Sequence, residues 1–144
     1  MTKITTADAS SKFKVIIAVG RDFKDYDMMC RHCDMLLEKK ENVEIVSGNA
    51  KGADEMGEKY AVRNKHTVSL FPANWNDIHD RPAAEIGETR KGHKYWKLAG
   101  HYRNMKMAMY ADALIAFWDG KSKGTNDMIN QAKSRGLKVR VVNY

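Results

Sequence analysis

Short apolar runs of strand length alternate with stretches of helical period along most of this chain, and few folds accommodate that order. Strands are predicted at Lys14–Val19, Val43–Ser47, Thr67–Phe71, Ala113–Trp118 and Lys138–Val142. Between them, helices are predicted at about Tyr26–Lys39, Ala53–Asn64, Ala99–Tyr110 and Thr125–Arg135, with Asp25 as N-cap of the first. Helical spacing turns Tyr26, Met29, Cys30, Cys33, Leu36 and Leu37 inward in the first helix, and Ala53, Met56, Tyr60 and Ala61 in the second. It gathers Tyr102, Met105 and Met109 on one face of the third, and Met128, Ile129 and Ala132 on one face of the fourth. A helical crossover returns the chain to the end of the sheet it left, so such strands pair in parallel with helices on both faces. The expected fold class is therefore α/β, a three-layer sandwich around a mainly parallel five-stranded sheet.

One stretch breaks the alternation. Pro72 to Leu98 holds both prolines, Trp75, Trp96, His79 and His93 and shows no clear period. A span of that length inside a compact domain is expected to be functional or mobile. With 144 residues, 43% of them hydrophobic and 30% charged, the chain is expected to be one domain over 13–144, with an irregular insertion at about 76–98. Residues 1–12 are expected to be a flexible polar tail; they lack the apolar core of a signal peptide. No run of eighteen apolar residues exists, which argues against a membrane partner and for the cytoplasm.

Cys30 and Cys33 form a lone Cys-x-x-Cys, without the four ligands of a zinc site, and on the inward stripe of a helix they read as small hydrophobes. No metal site is expected. The net charge of +7, concentrated in Arg90, Lys91, Lys94, Lys97, Arg103 and Lys106, suits a polyanion. Charge alone does not separate a nucleotide from a nucleic acid.

In a parallel α/β sheet, ligands bind beyond the carboxyl ends of the strands. Three glycine-bearing turns fall there. The first is Gly20-Arg21-Asp22, where Arg21 can clamp a phosphate and Asp22 can accept from ribose hydroxyls or hold Arg21. The second runs from Ser47 through Gly48, Asn49 and Gly52 to Asp54, a spacing that suits a backbone nest for an anion but lacks the Gly-Lys-Ser/Thr of a Walker loop. The third is Gly120-Lys121-Ser122-Lys123-Gly124-Thr125, which offers two glycines, two cations and a hydroxyl at a helix start. Thr125 can equally serve there as an ordinary helix cap. Arg103 is a candidate phosphate or carboxylate ligand, Asn104 can read a ribose or base edge, and Trp75 offers a stacking face. Trp118 is expected to pack at its strand end. No catalytic set emerges: the serines lack a Gly-x-Ser-x-Gly elbow, the histidines are scattered, and Glu85 and Glu88 read as surface carboxylates.

Five motifs in order carry a resemblance: Lys14-Val-Ile-Ile-Ala-Val-Gly-Arg-Asp-Phe23, Val46-Ser-Gly-Asn-Ala-Lys-Gly-Ala-Asp54, Phe71-Pro-Ala-Asn-Trp75, Ala99-Gly-His-Tyr-Arg-Asn104 and Ala111 through Thr125. Together they resemble the YspA/YpsA-related branch of the SLOG superfamily, whose small members are frequent in phages and mobile elements. That superfamily also holds the DprA/Smf proteins and the Lonely Guy phosphoribohydrolases. The resemblance implies a Rossmann-like domain binding a nucleotide or nucleotide-derived ligand, ADP-ribose-like or a mononucleotide. It implies a site lined by Gly20, Arg21, Gly48, Gly52, Asp54, Arg103, Asn104, Gly120, Gly124 and Thr125, and by superfamily habit a homo-oligomer, dimer or higher, in a bacterial or phage-infected cytoplasm. No obligatory cofactor follows from it. Lonely Guy enzymes carry a glutamate three residues after the threonine of their glycine-rich motif. Here Met128 stands there, leaving Asp22, Asp54 and Asp119 as carboxylates that can replace it. The expectation is accordingly a binding protein, a signal sensor or sequestering module. An N-glycosidase acting on nucleotides comes second, and single-stranded nucleic-acid binding of the DprA kind third. The insertion from about Ile78 to Trp96 is expected to form a lid or an oligomer contact.

Overall fold

The computed structural model describes residues 12–48 and 53–144, the side chains of 53 and 54 excepted. Seven strands and four α-helices follow one another among these residues: β1 (Phe13–Val19), α1 (Tyr26–Leu37), β2 (Val43–Ser47), α2 (Ala53–Arg63), β3 (Thr67–Leu70), β4 (Ile86–Glu88), β5 (Lys94–Trp96), α3 (Ala99–Tyr110), β6 (Ala113–Trp118), α4 (Lys123–Ser134) and β7 (Lys138–Asn143). The main sheet has the order β3-β2-β1-β6-β7 and is parallel throughout. β1 lies at its centre, with Val15 level with Ile45 on one side and Ala113 on the other.

The strand period of two sorts side chains cleanly onto the two faces. Val15, Ile17 and Val19 of β1 join Ile45, Ile115 and Phe117 under α1 and α2. Ile16, Val46, Leu114 and Ala116 face the other way, against Met107 and Ala108 of α3 and Met128, Ile129 and Ala132 of α4. A strand covered on both faces favours apolar residues at successive positions, which is why Val15–Val19 of β1 and the whole of β6 read as continuous apolar runs. The fold is thus a Rossmann-like three-layer α/β sandwich. Cys30 and Cys33 are free and buried in the first cluster, and burial pushes the Cys33 thiol up to about 12. Among the described residues no three His, Cys, Asp or Glu side chains gather as metal ligands.

A carboxylate of the sheet is buried against the second face. Glu44 of β2 is 6% exposed and accepts from the hydroxyls of Ser69, at 2.7 Å, and Tyr110. Burial by itself raises its pKa, but those two hydrogen bonds, with Lys12 and Lys14 nearby, outweigh it and hold the carboxyl below its ordinary value.

Two expectations are corrected. The stretch from Pro72 to Leu98 is not irregular throughout: β4 and β5 form an antiparallel hairpin, with Gly87 level with Tyr95. The guanidinium of Arg81 lies 3.6 Å from the Trp96 ring centre, Tyr102 stacks on that ring at 5.0 Å, and the indole N–H donates to Glu85 at 3.0 Å. Glu85, read as a surface carboxylate, therefore anchors the hairpin. The inward face of α3 is also different. Tyr102 and Met109 are exposed and Met105 is only half-buried, whereas Ala99, Asn104, Met107 and Ala108 are buried. No helix among the described residues is long and apolar enough to cross a membrane.

Candidate functional site

The sheet order brings the carboxyl ends of β2, β1 and β6 side by side. From β1 the chain leaves towards β2, and from β6 it leaves towards β7, so the loops diverge between β1 and β6 and open a crevice. A cleft of about 390 Å³ lies there, floored by Ile16 to Val19 of β1 and walled by the first turns of α3 and α4.

Of the residues singled out from sequence, Arg21, Gly48, Trp75, Arg103, Asn104, Ser122, Gly124 and Thr125 line this cleft. Arg103 donates to the Gly48 carbonyl and, through Nε at 3.0 Å, to the side-chain oxygen of Asn104. Asn104 donates in turn to Asp127 at 2.9 Å and to the Gly124 carbonyl at 3.3 Å. This buried amide is therefore a strut joining α3, α4 and the turn after β2, and its hydrogen-bonding groups face protein. Trp75 is 46% exposed. Its carbonyl accepts from the Trp96 amide at 2.7 Å, so the hairpin fixes its backbone beside the cleft. Gly100 opens α3 beneath it: a Cβ there would stand 3.2 Å from the indole.

Other expected residues lie off the cleft wall. A Cβ on Gly20 would meet the Tyr144 hydroxyl, which donates to Asp22 at 2.7 Å. Asp22 is thus engaged by Tyr144. Ser47 is buried and donates to Glu58 at 2.9 Å. Gly120 supplies the positive φ of its turn, 83°, and Lys121 follows it outside the lining. Asn49 and Gly52 fall outside the described residues, as does the side chain of Asp54.

The third turn differs from the simple anion seat in one respect. One oxygen of Asp119 accepts the amides of Lys121 and Ser122, both at 2.8 Å, and those bonds hold its carboxyl below the usual range. The chain's own carboxylate fills that part of the loop. Ser122, and not Thr125, is the N-cap: its hydroxyl accepts from the Thr125 amide at 3.4 Å, while Thr125 is buried. Trp118 packs at its strand end as expected and donates to the Ser122 carbonyl at 3.0 Å. The first two amides of α4, those of Lys123 and Gly124, have no carbonyl partner within the described residues and border the cleft.

Three polar or charged lining residues were not singled out from sequence as site residues: Lys97, His101 and Asp127. Lys97 was visible only as surface charge, and Lys123 as one of the two cations of the third turn. With Arg21 and Arg103 they set four cations against one lining carboxylate, Asp127, a balance that favours an anionic ligand. A second cavity, of about 500 Å³, adjoins the cleft across Arg103 and is lined by Phe71, Arg81, Trp96, Tyr102 and Lys106.

Comparison with known proteins agrees with this geometry. Residues 13–77 match the model of the YspA, cpYpsA-related SLOG family. No curated protein matches the chain. In three dimensions it is similar to DNA processing protein A (DprA) from Streptococcus pneumoniae, with a TM-score of 0.61 and 20% identity. That likeness covers 89% of this chain and 49% of the other, so the chain spans about half the length of that protein. At such identity the likeness is one of fold.

Proposed function

We propose that this chain, SLOG-like over its first half and Rossmann-like in its sheet, binds a nucleotide or nucleotide-derived small molecule in the cleft between β1 and β6. The carrying observation is the coincidence, in one crevice at the strand carboxyl ends, of four cations, the first two amides of α4, which meet no backbone carbonyl within the described residues, and a half-exposed indole. Amides at a helix N-terminus and flexible cations suit phosphate. An exposed indole suits the face of a base. In this reading Lys123, Arg21 and the start of α4 hold the phosphates, and Trp75 stacks on the base. Arg103 and Asn104 keep the two walls in register.

Thermal unfolding in the presence of AMP, GTP, ADP-ribose or a short single-stranded DNA tests it. A ligand at about 100 times its Kd stabilises by about 2.7 kcal/mol. Lys123→Ala is expected to weaken binding of a phosphate-bearing ligand about tenfold, and Trp75→Ala to weaken nucleotide but not inorganic phosphate. No shift with any mononucleotide or ADP-ribose at millimolar concentration sinks the proposal. A shift with DNA alone, lost steeply as salt rises, points instead to nucleic acid.

A further inference from the structure

The cleft contains a pair of groups that binding does not use. His101, in the first turn of α3, and Asp127, in α4, both line it, with His101 Nδ1 2.9 Å from one carboxylate oxygen of Asp127. The other oxygen accepts from Asn104, which is itself held by Arg103. Asp127 is thus fixed from behind, and the imidazole is fixed by Asp127. When Nδ1–H is donated to a carboxylate, the ring lone pair lies on Nε2, the tautomer that accepts a proton from a third group. The Gln131 amide nitrogen lies 3.3 and 3.4 Å from the two ring nitrogens, and Tyr102 meets the ring edge-on at 5.8 Å. The remaining charges bordering the same cleft are Arg21, Lys97, Arg103 and Lys123.

We propose that His101 and Asp127 form a general-base dyad that hydrolyses a phosphorus–oxygen bond of a nucleotide-derived ligand held in this cleft. The inference rests on the binding reading above and goes beyond it. Asp127 stands three residues along α4 from Gly124, a rise of about 4.5 Å at 1.5 Å per residue. The dyad therefore lies at the phosphate end of the cleft, about one helical turn from the amides that would seat the phosphate. Nε2 takes a proton from water, and the water oxygen forms a bond to phosphorus. The bond from phosphorus to the leaving oxygen breaks, and the proton on His101 passes to that oxygen. The lining cations offset the charge that gathers on the phosphoryl oxygens. Met128, where related hydrolases carry glutamate, is buried in the core at 1% exposed, so the neighbouring Asp127 is the carboxylate that α4 presents to the cleft.

The test incubates the purified protein with ATP, ADP-ribose or the dinucleotide ApA in ¹⁸O-water. Ligand binding is measured in parallel by thermal shift. The proposal expects product with ¹⁸O on phosphate. It also expects a rate that falls on acidification, because a protonated ring cannot take a proton from water. His101→Gln should lower the rate about 100-fold, the lower end for loss of a general base, with binding unchanged. Asp127→Asn should lower the rate and move the pH profile, and an unchanged profile argues against the dyad. Binding without turnover, or turnover equal in His101→Gln, overturns the dyad and leaves the binding reading standing. Free base with ¹⁸O on ribose overturns the assignment to phosphorus. Neither binding nor turnover overturns both readings.

Discussion

Glu44 shows how one buried carboxylate can tie a strand to a helix. Its oxygens are met by Ser69 of β3 and Tyr110 at the end of α3, so the ionised form is solvated by protein. Its folded pKa is depressed, so the associated stability is complete above the unfolded value, about 4.3, and is lost as pH falls through that value towards the folded one. Urea unfolding at pH 7 and at pH 4 is expected to show a loss in the natural protein that is smaller in Glu44→Gln; equal slopes would exclude Glu44 as a source. Asn104 is the counterpart at the cleft. It was legible as a polar residue beside a candidate phosphate ligand, but its role as a strut depends on Asp127, 23 residues away.

At the level of elements, α2 and α4 end in the same way with different residues. After α4, Gly136 at φ 77° donates to the Lys133 carbonyl and Leu137 to that of Ala132. After α2, Lys65 at φ 59° donates to Val62 and His66 to Ala61. Both are Schellman closures, in which the residue at positive φ is best a glycine. A left-handed L-residue costs roughly 1–2 kcal/mol. Lys65→Gly is therefore expected to raise stability by up to about 1 kcal/mol, and Gly136→Ala to lower it by about as much, both read from denaturant midpoints. A stabilising Gly136→Ala would contradict the argument. The ends of strands and helices were legible to within about a residue or two because apolar runs and caps such as Asp25 are local. β4 and β5 were not, since strands of three residues leave no period to detect.

Across the whole molecule, the parallel order of β1 between β2 and β6 makes the core and the cleft one construction. Leu114, 1% exposed near the start of β6, packs in the cluster beneath α3 and α4, the two helices whose first turns wall the cleft. Leu114→Ala is expected to cost 2–5 kcal/mol, the range for a buried leucine truncation, and to weaken ligand binding through loosened walls. Calorimetry and ligand titration of the same variant check both halves. A variant that loses binding with no loss of stability would separate the core from the cleft.

The sequence by itself determined the alternation of elements, the parallel sheet it demands, and the placing of glycine-bearing turns at strand carboxyl ends. Each of these follows from local period and chain connectivity. Only the tertiary structure decided which turn residues face the cleft. Asp22 turns to Tyr144 and Asp119 closes on its own loop amides, while Lys97, His101, Lys123 and Asp127 enter the lining. It also decided that α3 buries Asn104 and Met107 and exposes Tyr102 and Met109. The face a helix presents depends on the neighbour it packs against, and here that neighbour, α4, arrives from the far end of the chain.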